Sequence, residues 1–250
     1  MSHYNPMSLE GKTILVTGAS SGIGRAIALE CSRLGARVIC TARNAERLAE
    51  TMSCMEGEGH LSILADLCKE EERAALIEQL PKLDGVSHNA GVGLTLVCAY
   101  AKEETFQRMF QVSVFSTTLL QGELIRKRKI NKGASLVFMS STSAYHALLA
   151  NTIYGMTRSA IQSYARGVAI ELAPRKIRSN SIHPGMVETP LIHGSSTLDA
   201  EHYKEDMKKY PLRRYGQPEE VAHLAAFLLS DAASWITASS YVIDGGRFQL

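Results

Sequence analysis

Eight residues, Thr17-Gly18-Ala19-Ser20-Ser21-Gly22-Ile23-Gly24, constrain the fold of this chain more than any others. They stand between the β-branched run Thr13-Ile14-Leu15-Val16-Thr17 and the stretch Arg25 to Leu34, whose Ile27, Ala28, Cys31 and Leu34 share one helical face. Gly35 follows as the stop. Glycines at such a strand-to-helix junction let the backbone turn sharply, approach an anionic group closely and pack the helix against the sheet. The helix start adds unpaired N–H groups and the positive end of its dipole, so the turn predicts a phosphate-binding site. It also predicts the sheet, because a strand feeding a helix in this way is the first half of a βαβ unit.

The rest of the chain repeats that alternation. Strands are predicted at Arg37–Thr41, Leu61–Ala65, Gly85–His88, Ser135–Met139, Ile177–Ile182 and Ser240–Ile243. Helices are predicted at Glu46–Met52, Lys69–Gln79, Glu103–Arg126, Thr152–Leu172 and from Pro218 onward. The reading is an α/β protein with a Rossmann-type doubly wound parallel sheet of about seven strands, forming one domain over residues 1–250. Glu188 to Gln217 is too long for a simple connection and follows a strand's C-terminal end, which predicts a partly helical substrate lid over residues 188–217.

Composition excludes several classes. With 27 basic against 25 acidic side chains the net charge is +2, which gives no electrostatic case for nucleic acid or an anionic membrane. No apolar run approaches the ~20 residues of a transmembrane helix. Met1 to Lys12 has neither the basic nor the apolar region of a secretory signal. Five cysteines without a CxxC pair read as buried thiols in a reducing cytoplasm. The 8 histidines show no HxxxH or HxH spacing, so no metal site is expected.

The glycine spacing Gly-x-x-x-Gly-x-Gly resembles the short-chain dehydrogenase/reductase family, and four further motifs in order extend the resemblance over nearly the whole chain. They are Asp66-Leu67, then Asn89-Ala90-Gly91, then Ser141 thirteen residues before Tyr154, then His183-Pro184-Gly185 with Val187 and Thr189. A terminal Asp244-Gly245-Gly246 follows. The resemblance implies a nicotinamide dinucleotide bordered by Gly18, Ser20, Ser21, Gly22, Ile23, Gly24, Asp66, Leu67, Asn89, Ala90, Gly91, Pro184, Gly185, Val187 and Thr189. It also implies a homodimer or homotetramer.

The cofactor expected is NADP(H) rather than NAD(H). An acid about 20 residues past the glycines would bond the ribose hydroxyl of NAD, but Ala42 stands in that place and Arg43 follows it. A guanidinium grips a phosphate through its planar fork, and no carboxylate is there to repel the extra charge.

The catalytic expectation centres on Tyr154 and Arg158, four residues apart on one predicted helix and so on one face. A free phenol titrates near 10, too high for proton exchange at neutral pH. A cation ~4 Å away in an effective dielectric of ~20 is worth about 4 kcal/mol and favours the phenolate. The resemblance implies Tyr154 as general acid for carbonyl reduction and Ser141 as the hydroxyl that polarises the substrate oxygen. Two positions depart from the family pattern: Arg158 replaces the usual Lys, and Ser113 replaces an Asn that supports the proton relay. His88 is a milder change, at the start of what is usually Asn-Asn-Ala-Gly. Arg is longer, planar and never gives up its proton, so that exchange is not conservative.

The function these residues predict is reduction of a ketone, such as a 3-oxoacyl group, to a secondary alcohol. The rival is a silent NADP(H)-binding sensor or scaffold, kept open by Arg158 and Ser113. A nucleotide-sugar epimerase fits less well on length and glycine spacing. The basic stretch Arg126 to Lys132 reads as a solvated helix end or, with Arg175 and Lys176, as a dock for an acidic carrier protein.

Overall fold

The computed structural model describes residues 4–190 and 200–248. Seven strands, β1 (Thr13–Thr17), β2 (Arg37–Ala42), β3 (Leu61–Leu64), β4 (Leu83–His88), β5 (Ile130–Met139), β6 (Arg178–Pro184) and β7 (Ser240–Ile243), make one sheet. Its order is β3-β2-β1-β4-β5-β6-β7 and every pairing is parallel. The order reverses between β1 and β4, so the loops leaving their C-terminal ends diverge and open a crevice there. The helices are α1 (Gly22–Arg33), α2 (Ala45–Ser53), α3 (Glu70–Gln79), α4 (Glu103–Phe110), α5 (Ser116–Arg126), α6 (Thr152–Leu172), α7 (Ala200–Met207) and α8 (Pro218–Leu229).

Alternation along the strands divides the core in two. Ile14 and Val16 of β1, Val38 and Cys40 of β2, and Val137 and Met139 of β5 face α1, α2 and α8. Leu15, Ile39, Leu136 and Phe138 face the other way, against α3, α5 and α6. A sheet covered on both faces must be apolar at successive positions, which is why its strands read as continuous apolar runs.

Several boundaries differ from expectation, and three of the differences have a structural reason. β5 begins at Ile130 rather than Ser135, because Ile130 pairs with Leu83 before the register shifts and Gly85 pairs with Ser135. β6 runs on to Pro184, which pairs with Ile243. The long helix expected from Glu103 to Arg126 is interrupted by a π-helical turn over Gln111–Phe115, between α4 and α5. The Ser116 hydroxyl donates to the Val112 carbonyl at 2.7 Å, the back-bonding that bends helices.

Two arginines sink into this framework. Arg73 donates to the Leu67 carbonyl and lies 3.6 Å from Glu123, joining α3 to α5. Arg178 donates to the Leu228 and Ser230 carbonyls at 2.8 and 2.9 Å, so its guanidinium caps the C-terminal end of α8. Of the five cysteines Cys31 and Cys40 are buried, but Cys54 and Cys98 are exposed, which corrects the expectation of buried thiols. Among the described residues no helix is long and apolar enough to cross a membrane.

Candidate active site

A pocket of about 650 Å³ opens at the C-terminal ends of β1, β4, β5 and β6. Gly18, Ser20, Ser21, Gly22, Ile23 and Gly24 form one wall. Gly18 has φ +65, which an L side chain rarely adopts, and a Cβ on Gly24 would lie 2.3 Å from the Gly18 carbonyl oxygen. The turn is held from β4: the backbone N–H groups of Asn89 and Ala90 both donate to the Thr17 hydroxyl. Asn89 also donates through its amide to the Thr17 carbonyl at 3.2 Å. At the start of α1 the Ser21 side chain makes no capping bond, so the first N–H groups of the helix stay open toward the pocket.

Arg43, Asp66 and Leu67 line the far end of that wall, together with Ala42. Arg43 is exposed and Ala42 buried. Asp66 accepts from the Cys68 N–H at 3.0 Å, an Asx turn that sets the exit of β3 rather than a cap on α3, whose N-cap is Lys69.

The opposite wall carries Ser141, Tyr154 and Arg158. Ser141 stands two residues beyond β5, and its hydroxyl both meets the Ser143 hydroxyl at 3.2 Å and accepts from the Ser143 N–H. Asn151 in turn donates to the Ser143 hydroxyl at 2.9 Å. His183 donates from Nδ1 to the Ser141 carbonyl at 3.1 Å, and burial pushes its pKa down to about 4, so the ring is neutral at pH 7. Neither Ser143 nor Asn151 was singled out in the sequence; the serine-rich run Ser140-Ser141-Thr142-Ser143 was the available signal.

α6 brings Tyr154 and Arg158 together as its spacing predicts, with the Arg158 Cζ 4.7 Å from the centre of the Tyr154 ring. The guanidinium thus lies over the ring face, a cation–π contact. It is 5% exposed and points its fork at the Met139 and Val92 carbonyls, at 3.3 and 3.4 Å. Its Nε has no hydrogen-bond partner. Gly91 makes room for it: a Cβ there would lie 2.6 Å from Nη2. Ser113 sits in the π-helical turn, 1% exposed, with its hydroxyl unpartnered and outside the pocket lining. The structure therefore does not bring Ser113 to the pocket through its side chain; only its backbone can serve a relay. His88 likewise turns away, stacking on Phe138 at 4.7 Å and bonding Gln121 at 2.9 Å.

Pro184, Gly185, Val187 and Thr189 close the pocket's third side, and a Cβ on Gly22 would meet Thr189 at 3.2 Å. Of the lid expected over 188–217, residues 191–199 lie outside the described residues. The remainder contains α7, and Glu188 N–H donates to the Gly216 carbonyl at 2.9 Å, drawing the two ends together. Sequence reasoning missed Asp206, Tyr210, Arg247 and Phe248, which also line the pocket.

A family model described as enoyl-(acyl carrier protein) reductase matches residues 18–247. The 3-oxoacyl-[acyl-carrier-protein] reductase FabG of Rickettsia felis is 31% identical, over 98% of this chain and 100% of its own length. The chain belongs to the short-chain dehydrogenase/reductase family. Dehydrogenase/reductase SDR family member 4 of Sus scrofa is 32% identical over 95% of this chain and 88% of its own. A short-chain dehydrogenase/reductase from Serratia marcescens superimposes with a TM-score of 0.87 at 30% identity, covering 97% of this chain and 99% of that one. Short-chain dehydrogenase/reductase membership makes this an oxidoreductase fold and implies a nicotinamide dinucleotide. The cradle fits one: the glycine turn leaves no space for side chains, and the open N–H groups of α1 suit a pyrophosphate.

Proposed function

We propose that this protein is an NADP(H)-dependent reductase that converts a ketone to a secondary alcohol. The observation that carries the reading is that Ser141 and Tyr154 line the same pocket as the glycine turn, with the Arg158 cation against the phenol ring. Gly18, Ser20, Ser21, Gly22, Ile23 and Gly24 would hold the pyrophosphate. Asp66 and Leu67 would flank the adenine, and Asn89, Ala90, Gly91, Pro184, Gly185, Val187 and Thr189 the nicotinamide half. When bound, the dinucleotide supplies the hydride. Ser141 donates a hydrogen bond to the substrate oxygen, and Tyr154 delivers the proton that the new alkoxide takes up. Arg158 stabilises the negative charge left on the phenol, and its fork would also reach the ribose. Ser113 contributes through its carbonyl in the π-helical turn. The described parts of the expected lid, residues 188–190 and 200–217, would cover the substrate side of the pocket.

Tyr154→Phe tests the assignment. Turnover of a ketone panel should fall roughly 100- to 10,000-fold, the span of general acid catalysis, while NADPH affinity stays within about twofold. A fully active variant overturns it. The exposed Arg43 and the buried Ala42 support NADP(H), and Ala42→Asp with Arg43→Ser should reverse the preference over NAD(H) in a titration at fixed salt. The silent sensor reading would require NADPH binding with no turnover of any ketone.

The basic side chains expected to dock an acidic carrier, with Lys82, line a recess of about 420 Å³ beside the N-terminal ends of β4 and β5. That is the opposite edge of the sheet from the catalytic pocket, so a carrier seated there would not present its acyl group to Tyr154. Lys129, by contrast, is used internally, donating to the Glu78 and Leu80 carbonyls. Exposed Phe115, Leu119 and Ile170 lie on the turn, on α5 and on α6, which supports pairing of these helices in a homodimer or homotetramer. The free cysteines suit a reducing, cytoplasmic setting.

A further inference from the structure

We infer that the substrate is an oxo acid whose carboxylate is anchored by Arg247; this rests on the reductase reading and names the substrate class of the same site. Arg247 lines the pocket that Ser141 and Tyr154 line, and it reaches that position on a fastened tail. Beyond β7, the Asp244 carboxylate accepts from the Gly246 N–H at 2.9 Å and the Phe248 N–H at 3.1 Å. The Arg247 N–H donates to the Asp244 carbonyl at 3.2 Å. Phe248 stacks on His146 with ring centres 4.4 Å apart. A segment knotted in this way presents its side chain without the ordering cost of a free terminus.

The guanidinium is aimed by two rings, its Cζ lying 5.6 Å from the centre of Tyr210 and 5.3 Å from that of Phe248. Ring faces orient a cation but leave its N–H groups free at the edge to bond an anion. The nearby acid does not consume the charge. Asp206 lies 3.9 Å from Arg247, but its nearer partners are Lys209 at 3.2 Å and the Tyr215 hydroxyl at 3.0 Å. Asp244 is close by as well, but its carboxylate is taken by the Gly246 and Phe248 N–H groups, so among the described residues no carboxylate hydrogen-bonds the Arg247 fork. A planar fork left without hydrogen bonds matches one carboxylate, bound through two parallel hydrogen bonds. The other pocket cations are committed elsewhere, Arg158 beneath Tyr154 and Arg43 at the opposite end.

Two measurements test the inference. In the first, hexanoate, which has no reducible carbonyl, is titrated into the protein with and without NADPH. It should bind the native chain and lose about tenfold in affinity in Arg247→Gln, with partial recovery in Arg247→Lys. Equal affinity in native chain and Arg247→Gln overturns the anchor. In the second, acetoacetate, levulinate and their next two longer homologues are each compared with their methyl esters as substrates. At least one acid should exceed its ester about tenfold in kcat/KM, and Arg247→Gln should bring that acid down to the level of the ester. Esters reduced as well as acids at every length overturn the anchor and leave the reductase reading standing. No reduction of any acid or ester overturns the reductase reading, while the hexanoate titration still decides the anchor.

Discussion

Arg158 and Arg178 are both almost wholly buried and both spend their forks on backbone carbonyls, yet they are held very differently. Arg178 makes bonds of 2.8 and 2.9 Å to the last carbonyls of α8. Arg158 makes bonds of 3.3 and 3.4 Å, keeps an unpartnered Nε and lies over the face of Tyr154. Carbonyls at a helix end have no intrahelical donor, so the first guanidinium completes an element that needs it. The second leaves hydrogen-bonding capacity and charge unused by the fold. One arginine serves the fold; the other is the cation that the proposed reductase would use on its ligand and on the Tyr154 phenol.

Exchanging each for methionine should separate those roles most sharply. Arg178→Met leaves the Ser230 carbonyl without its side-chain donor and should cost roughly 2–4 kcal/mol in denaturant unfolding, with turnover of the surviving folded protein little changed. Arg158→Met should do the reverse, changing stability by less than about 1 kcal/mol while lowering turnover at least 100-fold. Equal stability losses in the two variants would break the comparison.

Histidine sharpens it further, because a buried imidazole can shed the charge that an arginine cannot. Burial pushes both His88 and His183 down to about 4, so each stays neutral in the fold while the unfolded chain binds a proton near pH 6.5. Their contribution is complete above about pH 6.5 and is lost as pH falls toward 4, by about 1 kcal/mol per ring at pH 5.5. Unfolding midpoints measured between pH 7 and 5 should show this slope, and His88→Asn should remove half of it. The smallest effect is expected at Ser113, whose hydroxyl is buried without a partner. Ser113→Ala should be neutral or stabilising by less than about 1 kcal/mol, whereas Ser135→Ala, which removes a 2.7 Å bond to the Leu228 carbonyl, should destabilise.

The sheet and the glycine turn were legible because their requirements are local: a two-sided strand must be apolar, and a turn this tight must be glycine. Tyr154 and Arg158 could be paired because helical spacing alone puts them on one face. The π-helical turn was not legible, since slipping the hydrogen bonds by one residue leaves the apolar pattern of Glu103 to Arg126 almost unchanged. Nor were the partners of Arg158, which are carbonyls of Val92 and Met139; every residue carries that group, so no residue type announces it. Arg247 escaped because it follows the last strand in a segment with no periodicity, positioned by Asp244, by the neighbouring Phe248 and by Tyr210 from another part of the chain.

The two ends of the pocket also hang from strands of unequal security. The glycine turn leaves β1, which is bonded on both sides by β2 and β4 and buried over four of its five residues. The segment carrying Arg247 leaves β7, one of the two edge strands, paired only with β6 and partly exposed along its length. Amide protons of β7 should therefore exchange with solvent far sooner than those of β1, because an outer strand can detach while the centre stays closed. For each opening that disturbs the phosphate turn, the wall that carries Arg247 should loosen and re-form many times, so a small molecule could come and go there while the turn keeps its shape.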